Sequence, residues 1–198
     1  KGVAPGWSLL DNFDFYQPGQ LGVNGTWIDM YGNTMSVAQP AGQNRVAKVT
    51  AIAAAGGTYL KLNGLAFTGN QARTLFFRMT PKGNPVDAIK QVIGLSDRTP
   101  NFYYQVASQN NMGPVIYPSV NSTEWQIGVS TNFGPGTVYD PTPLTVDAVY
   151  SVWIDITNVP IVNLPGARVE PDEEDLYSVY IQKEGDANRT ALFLDCAS

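Results

Sequence analysis

Turn-forming residues constrain this chain most. Nineteen glycines and 14 prolines fall within 198 residues, one residue in six, and they recur too often for a long helix to run uninterrupted. Between them, apolar and aromatic residues alternate with polar ones in short runs bounded by Gly, Pro, Asn or Asp. A period of two is the mark of half-buried strands. The pattern predicts strands at Thr26–Met30, Thr34–Ala38, Arg45–Ile52, Thr58–Leu62, Arg73–Thr80, Ala88–Leu95, Phe102–Ser108, Pro114–Tyr117, Glu124–Val129, Val149–Thr157, Leu176–Lys183 and Thr190–Leu194. The one stretch with helical propensity, Val86–Val92, is too short to hold a helix unaided and reads as a turn entering a strand.

So many strands need two layers to bury one face each, and the length suits one large all-β domain. The expectation is therefore a single antiparallel β-sandwich of the jelly-roll kind spanning residues 1–198. Hydrophobic residues at 43% can build its core, and charged residues at 15% are too few for a disordered chain. Two segments depart from the alternation. Phe133-Gly134-Pro135-Gly136 and Asp140-Pro141-Thr142-Pro143 read as a long proline-rich surface connection, and residues 158–175 as an inserted acidic loop between two strong strands.

Composition removes whole classes of chemistry. Histidine is absent and cysteine occurs once, which excludes imidazole bases, His-ligated metals, Cys zinc clusters and internal disulfides. A net charge of −5 without any Lys/Arg cluster argues against nucleic acid as a partner. No apolar run approaches the ~20 residues of a membrane-spanning helix. The first residue is Lys1 rather than Met, as in a processed or excised chain. Sequons at Asn24, Asn121 and Asn188 are readily explained by chance in a chain rich in Asn, Ser and Thr.

Two stretches carry a resemblance. Asp11-Asn12-Phe13-Asp14-Phe15-Tyr16-Gln17-Pro18-Gly19, followed by Gly25-Thr26-Trp27, resembles the start of laminin-G-like bacterial extracellular domains of the concanavalin A-like lectin/glucanase superfamily. Tyr150-Ser151-Val152-Trp153-Ile154-Asp155, paired with Tyr177-Ser178-Val179-Tyr180, resembles the late hairpin of the same domains. The resemblance implies a concanavalin A-like sandwich and an extracellular or bacterial cell-surface location. It does not choose among lectins, glycan-binding modules, glycosidases, lyases and structural domains.

Carboxylates supply one candidate site. Glu170-Pro171-Asp172-Glu173-Glu174-Asp175 superficially matches the Glu-x-Asp-x-Glu spacing of the laminarinase-like members, whose retaining chemistry needs two carboxylates about 5 Å apart. Pro171 cannot donate to a ladder, and the crowded negative charges repel one another in a strand, so a solvated acidic loop is the leading reading. Glu170, Asp172, Glu174 and Asp175 are also candidate calcium ligands, on charge density alone. No cofactor is otherwise required. Lyase members that use a histidine are excluded by its absence.

Strand parity supplies the second. Tyr150, Val152, Ile154 and Ile156 form the apolar side of one strand and leave Trp153 and Asp155 on the other; Tyr177, Val179 and Ile181 do the same, leaving Tyr180 and Gln182. By the same alternation Tyr103 and Gln105 oppose Phe102, Tyr104 and Val106, while Phe76 and Arg78 oppose Leu75, Phe77 and Met79. A flat ring takes the C–H side of a pyranose, and amides, carboxylates and guanidinium groups pair with its hydroxyls. Three readings of this aromatic side stay open: a sugar-binding face, a second core under the loops, or a contact between copies.

The expected function is non-catalytic adhesion to a polysaccharide through Trp153, Tyr180, Tyr103 and Phe76, with Arg78, Asp155, Gln105 and Gln182 as polar contacts. The rival is a self-assembling extracellular structural protein, a fibre, sheath or surface-layer subunit whose partner is a copy of itself. A glycoside hydrolase using the acidic segment stands behind both. Cys196 is expected to be carried by a final strand into the edge of the sheet, with Leu192 and Leu194 alternating against Phe193.

Overall fold

The structure, a computed structural model, describes residues 7, 13–14, 16–17, 27–29, 35–42, 44–49, 60–62, 72–83, 93–94, 115–117, 124–130, 137–158 and 175–197. These residues form antiparallel β-strands without a helix, as the density of turn formers requires. They belong to two compact units, 1–66 and 67–198.

In the first unit β1 (Trp27–Asp29) pairs with β4 (Leu60–Leu62), and β2 (Met35–Ala38) pairs with β3 (Val46–Val49). The β2–β3 link passes through Gly42, whose φ of 71° lies in the left-handed region open to glycine. A small core joins Tyr16 and Val37 with Phe13 and Ala47. Phe13 itself takes a φ of 61°, which closes a turn in which the Tyr16 N–H donates to the Phe13 carbonyl at 3.3 Å. Arg45 caps that turn by donating to the Asp14 carbonyl at 2.6 Å. Phe13 and Tyr16 thus close a turn, and β1 begins at Trp27.

In the second unit β5 (Arg73–Met79), β10 (Tyr150–Asn158), β11 (Asp175–Lys183) and β12 (Thr190–Ala197) form one sheet in the order β12-β11-β10-β5. A second sheet runs β6 (Ile93–Gly94), β7 (Val115–Tyr117), β8 (Gly128–Ser130), β9 (Thr137–Tyr139). Alternation decides which residues face in. Val152 and Ile154 on β10 and Val179 on β11 are fully buried, joined by Tyr150, Tyr177 and Ile181. Ile127 and Val129, in and beside β8, belong to the same cluster, and Leu75, Phe77 and Met79 of β5 pack against it. One core is therefore built from residues of both sheets.

Several expectations need correction. The proline-rich connection contains β9, which pairs Val138 with Val129; Thr137, Val138 and Tyr139 are strong strand formers that end only at Asp140 and Pro141. The residues that follow β9 are tied down. Asp147 N–H donates to the Pro81 carbonyl, Thr145 N–H donates to the Tyr150 hydroxyl, and Leu144 packs on the core. Trp125, buried, donates its indole N–H to the Gly83 carbonyl at 2.9 Å. The expected strand Phe102–Ser108 lies outside the described residues.

The last strand also differs from simple alternation. Val179 pairs with Phe193 but Tyr180 with Ala191, and Tyr177 pairs with Cys196, so β12 carries an extra residue at each of two register shifts. Asp195 there has a φ of 51°, and its N–H donates to the Ser178 hydroxyl at 3.1 Å. The consequence is that Leu192 and Phe193 both pack on the core while Leu194 is 61% exposed. Cys196 does lie in this edge strand, and burial, with a smaller effect from Asp195, pushes its thiol pKa up.

A thiol with a raised pKa holds less thiolate at neutral pH, so Cys196 alkylation at pH 8 is expected to be slower in the folded protein than in denaturant. Equal rates, followed by mass spectrometry, contradict this. Ile154→Ala is expected to cost about 2–5 kcal/mol of stability by denaturant titration, against about 0.5 kcal/mol or less for Leu194→Ser.

Candidate functional site

The side of the four-stranded sheet that faces away from the core is built by register. Phe76 on β5 lies opposite Trp153 on β10, Trp153 opposite Tyr180 on β11, and Tyr180 opposite Ala191 on β12. This row of rings crosses the strands, whose spacing is ~4.8 Å. On one side of it runs Thr74–Asp155–Ser178, and on the other Arg78–Ser151–Gln182. Antiparallel pairing places direct cross-strand neighbours on the same face, so the row follows from parity once the inner residues are buried. Phe76 remains 39% exposed, and Trp153 and Tyr180 are partly exposed.

The rings of Phe76 and Trp153 sit 5.2 Å apart at a 45° tilt, within the centroid range of interacting aromatic pairs. Arg189, from the exposed turn that leads into β12, reaches over the row. Its guanidinium carbon is 4.2 Å from the Tyr180 ring centroid and 5.8 Å from that of Trp153. Its Nη1 is 3.6 Å from Asp155 Oδ2, and Asp155 Oδ1 accepts a hydrogen bond from the Thr74 hydroxyl at 2.7 Å. Asp155 is thereby aimed along the face with one oxygen toward Arg189.

The polar residues expected around the rings have partners of their own. Arg78 pairs with Glu184 at 2.9 Å, and the Gln182 amide donates to the Asp186 carbonyl at 2.8 Å. Both contacts tie the sheet to the β11–β12 turn. What the face can do follows from these contacts. Phe76 and Trp153 offer apolar ring surface, Tyr180 serves as the seat of Arg189, and the Arg189–Asp155 pair offers donors and acceptors side by side.

Of the expected site residues, the structure brings together Phe76, Arg78, Trp153, Asp155, Tyr180 and Gln182 on one face. Tyr103 and Gln105 lie outside the described residues, as do the candidate calcium ligands Glu170, Asp172 and Glu174. Asp175 is the first residue of β11, opposite Asn158. Among the described residues no group of His, Cys, Asp or Glu is arranged to hold a metal ion. Sequence reasoning missed Arg189, Thr74 and Glu184. Thr74 was within reach, because it shares the parity of Phe76 and Arg78. Arg189 and Glu184 sit in the β11–β12 turn, where alternation carries no information about direction.

Among the described residues no helix is long and apolar enough to cross a membrane. Comparison of the chain with protein-family profiles, with curated proteins and with solved structures finds no significant match.

The Arg189–Tyr180 stack is measurable on its own. A double-mutant cycle with Arg189→Ala and Tyr180→Leu should give a coupling of about 0.5–1 kcal/mol in stability. A coupling within error of zero means the guanidinium is not held on the ring.

Proposed function

We propose that this chain is a non-catalytic glycan-binding domain of the concanavalin A-like kind, acting outside the cell, with the outer face of the β5–β10–β11–β12 sheet as its binding surface. The observation that carries the reading is the continuous row Phe76–Trp153–Tyr180, partly exposed on a sheet whose other side already supplies the core. A pyranose presents an apolar C–H side and a rim of hydroxyls. The Phe76 and Trp153 rings match the first, and Arg189 with Asp155 matches the second. Binding of this sort needs only surface complementarity, with no bond made or broken.

The shared core of the two sheets in residues 67–198 supports a sandwich as the scaffold, because face-to-face sheets are how β-proteins bury alternate residues while leaving the outer side of each sheet for recognition.

A second reading, a self-assembling structural subunit, draws on a different feature. β12 is an edge of its sheet, and Leu194 on it is 61% exposed. Sedimentation velocity separates the two. A concentration-independent monomer supports the domain that binds glycans, whereas assembly that Leu194→Lys abolishes supports the subunit.

Trp153→Ala is expected to leave the fold intact by circular dichroism and to weaken binding of oligosaccharide by about 2 kcal/mol or more, roughly thirtyfold. Isothermal titration with a soluble oligosaccharide panel reads the effect. Unchanged binding by the variant, or no binding by the parent protein to any member, removes this face from the function.

A further inference from the structure

Each arginine on the outer face stands beside a carboxylate. Arg78 has Glu184 at 2.9 Å, and Arg189 has Asp155 at 3.6 Å. Long-range charge adds to this local balance, because the chain carries a net −5 and a polyanion approaching it is repelled. A cationic groove built to hold uronates or sulfated sugars has the opposite character, with clustered guanidinium groups that lack acidic neighbours.

The Arg189–Asp155 pair has chemistry of its own. At 3.6 Å the two are near enough for Coulomb attraction but too far for a hydrogen bond, and among the described residues the Arg189 guanidinium has its contacts with the Tyr180 and Trp153 rings and with Asp155. The guanidinium carbon lies over the Tyr180 ring at 4.2 Å from its centroid, and a guanidinium carries several N–H donors with which it can meet a ligand beside that ring. A donor and an acceptor held side by side suit two adjacent hydroxyls, one accepting from Arg189 and the other donating to Asp155. A sugar carboxylate placed there would pair with Arg189 but lie against the like charge of Asp155.

The rings limit the ligand further. Phe76 and Trp153 are inclined at 45°, so no flat surface lies flush on both, whereas successive units of one twisting chain can each take one ring. We infer that the outer face, on the glycan-binding reading above, takes single uncharged polysaccharide chains lying across the strands, with Asp155 acting as the selectivity residue that cancels the charge of Arg189.

The test uses the whole chain in affinity electrophoresis against soluble neutral glucans, mannans, xylans and galactans and against polygalacturonate and alginate, with pull-down on microcrystalline cellulose and chitin. Retardation is expected by at least one neutral polymer, with both polyuronates about tenfold weaker or absent and no retention on the crystalline solids. Asp155→Asn is expected to raise polyuronate binding about tenfold at low ionic strength, and that gain should fade as salt rises. Arg189→Gln, in an exposed turn, should weaken neutral binding without any such gain. Salt-sensitive gain of an anionic ligand is a readout that mere loosening of the sheet does not produce, and the selectivity of the unmodified protein needs no variant at all.

Polyuronate bound by the unmodified protein as tightly as the neutral polymers overturns the inference while leaving the glycan-binding reading intact if Trp153→Ala removes that binding. Retention on the crystalline solids, or Asp155→Asn without altered discrimination, overturns it as well. Failure of every polymer to bind removes the underlying reading and this inference together.

Discussion

Burial of alternate residues along β10 and β11 is the constraint on which everything else in residues 67–198 depends. Val152, Ile154 and Val179 are fully removed from water and Tyr177 nearly so. Each such side chain contributes about 1.5–3 kcal/mol relative to exposure, so moving the whole set outward is prohibitive. A side-chain period of two then leaves no freedom: if Ile154 faces in, Trp153 and Asp155 face out. The nine-residue antiparallel pairing of β10 with β11, continued onto β5 without a shift, carries that decision sideways across three strands. The aromatic row is thus a by-product of the core in its position, though not in its chemistry.

That chemistry is set by a turn. Core packing alone would leave Phe76, Trp153 and Tyr180 as an apolar stripe, the sort of surface that invites indiscriminate sticking. The β11–β12 turn places Arg189 over the last of these rings and Glu184 against Arg78. Residues 184–190 are all exposed, so these side chains are held by pairing rather than by burial. The result is a mixed surface, with ring faces at one end and a donor–acceptor pair at the other. Such a surface is suited to a ligand that is itself apolar on one side and hydroxylated on its rim.

How much of this could be read in the sequence depended on whether alternation or geometry controlled the residue. The inner and outer sets of β5, β10 and β11 were legible, because uninterrupted strands translate position into direction. β12 was not, because its two register shifts break the rule: Leu192 and Phe193, adjacent in sequence, both reach the core, and Leu194 does not. β9 was hidden by the prolines and glycines on either side of it, which mark turns but do not forbid a three-residue strand between them. Arg189 was hidden for a different reason. A turn residue finds its partner through the path of the chain, and no periodicity encodes that path. Tyr180 was correctly placed on the outer side, yet its ring carries a guanidinium where a bare platform was expected.

On the proposed glycan-binding reading the outward row meets the ligand while the inner layer does not, and indole resonances distinguish the two sides. The chain has four tryptophans, and titration of ¹⁵N-labelled protein with a soluble neutral oligosaccharide follows each side-chain N–H separately. The Trp153 indole peak should move with saturating dependence on ligand, while that of Trp125, held in its hydrogen bond to Gly83, should stay in place. A Trp153 peak that stays fixed while the oligosaccharide demonstrably binds would put the binding surface elsewhere than on the outward row.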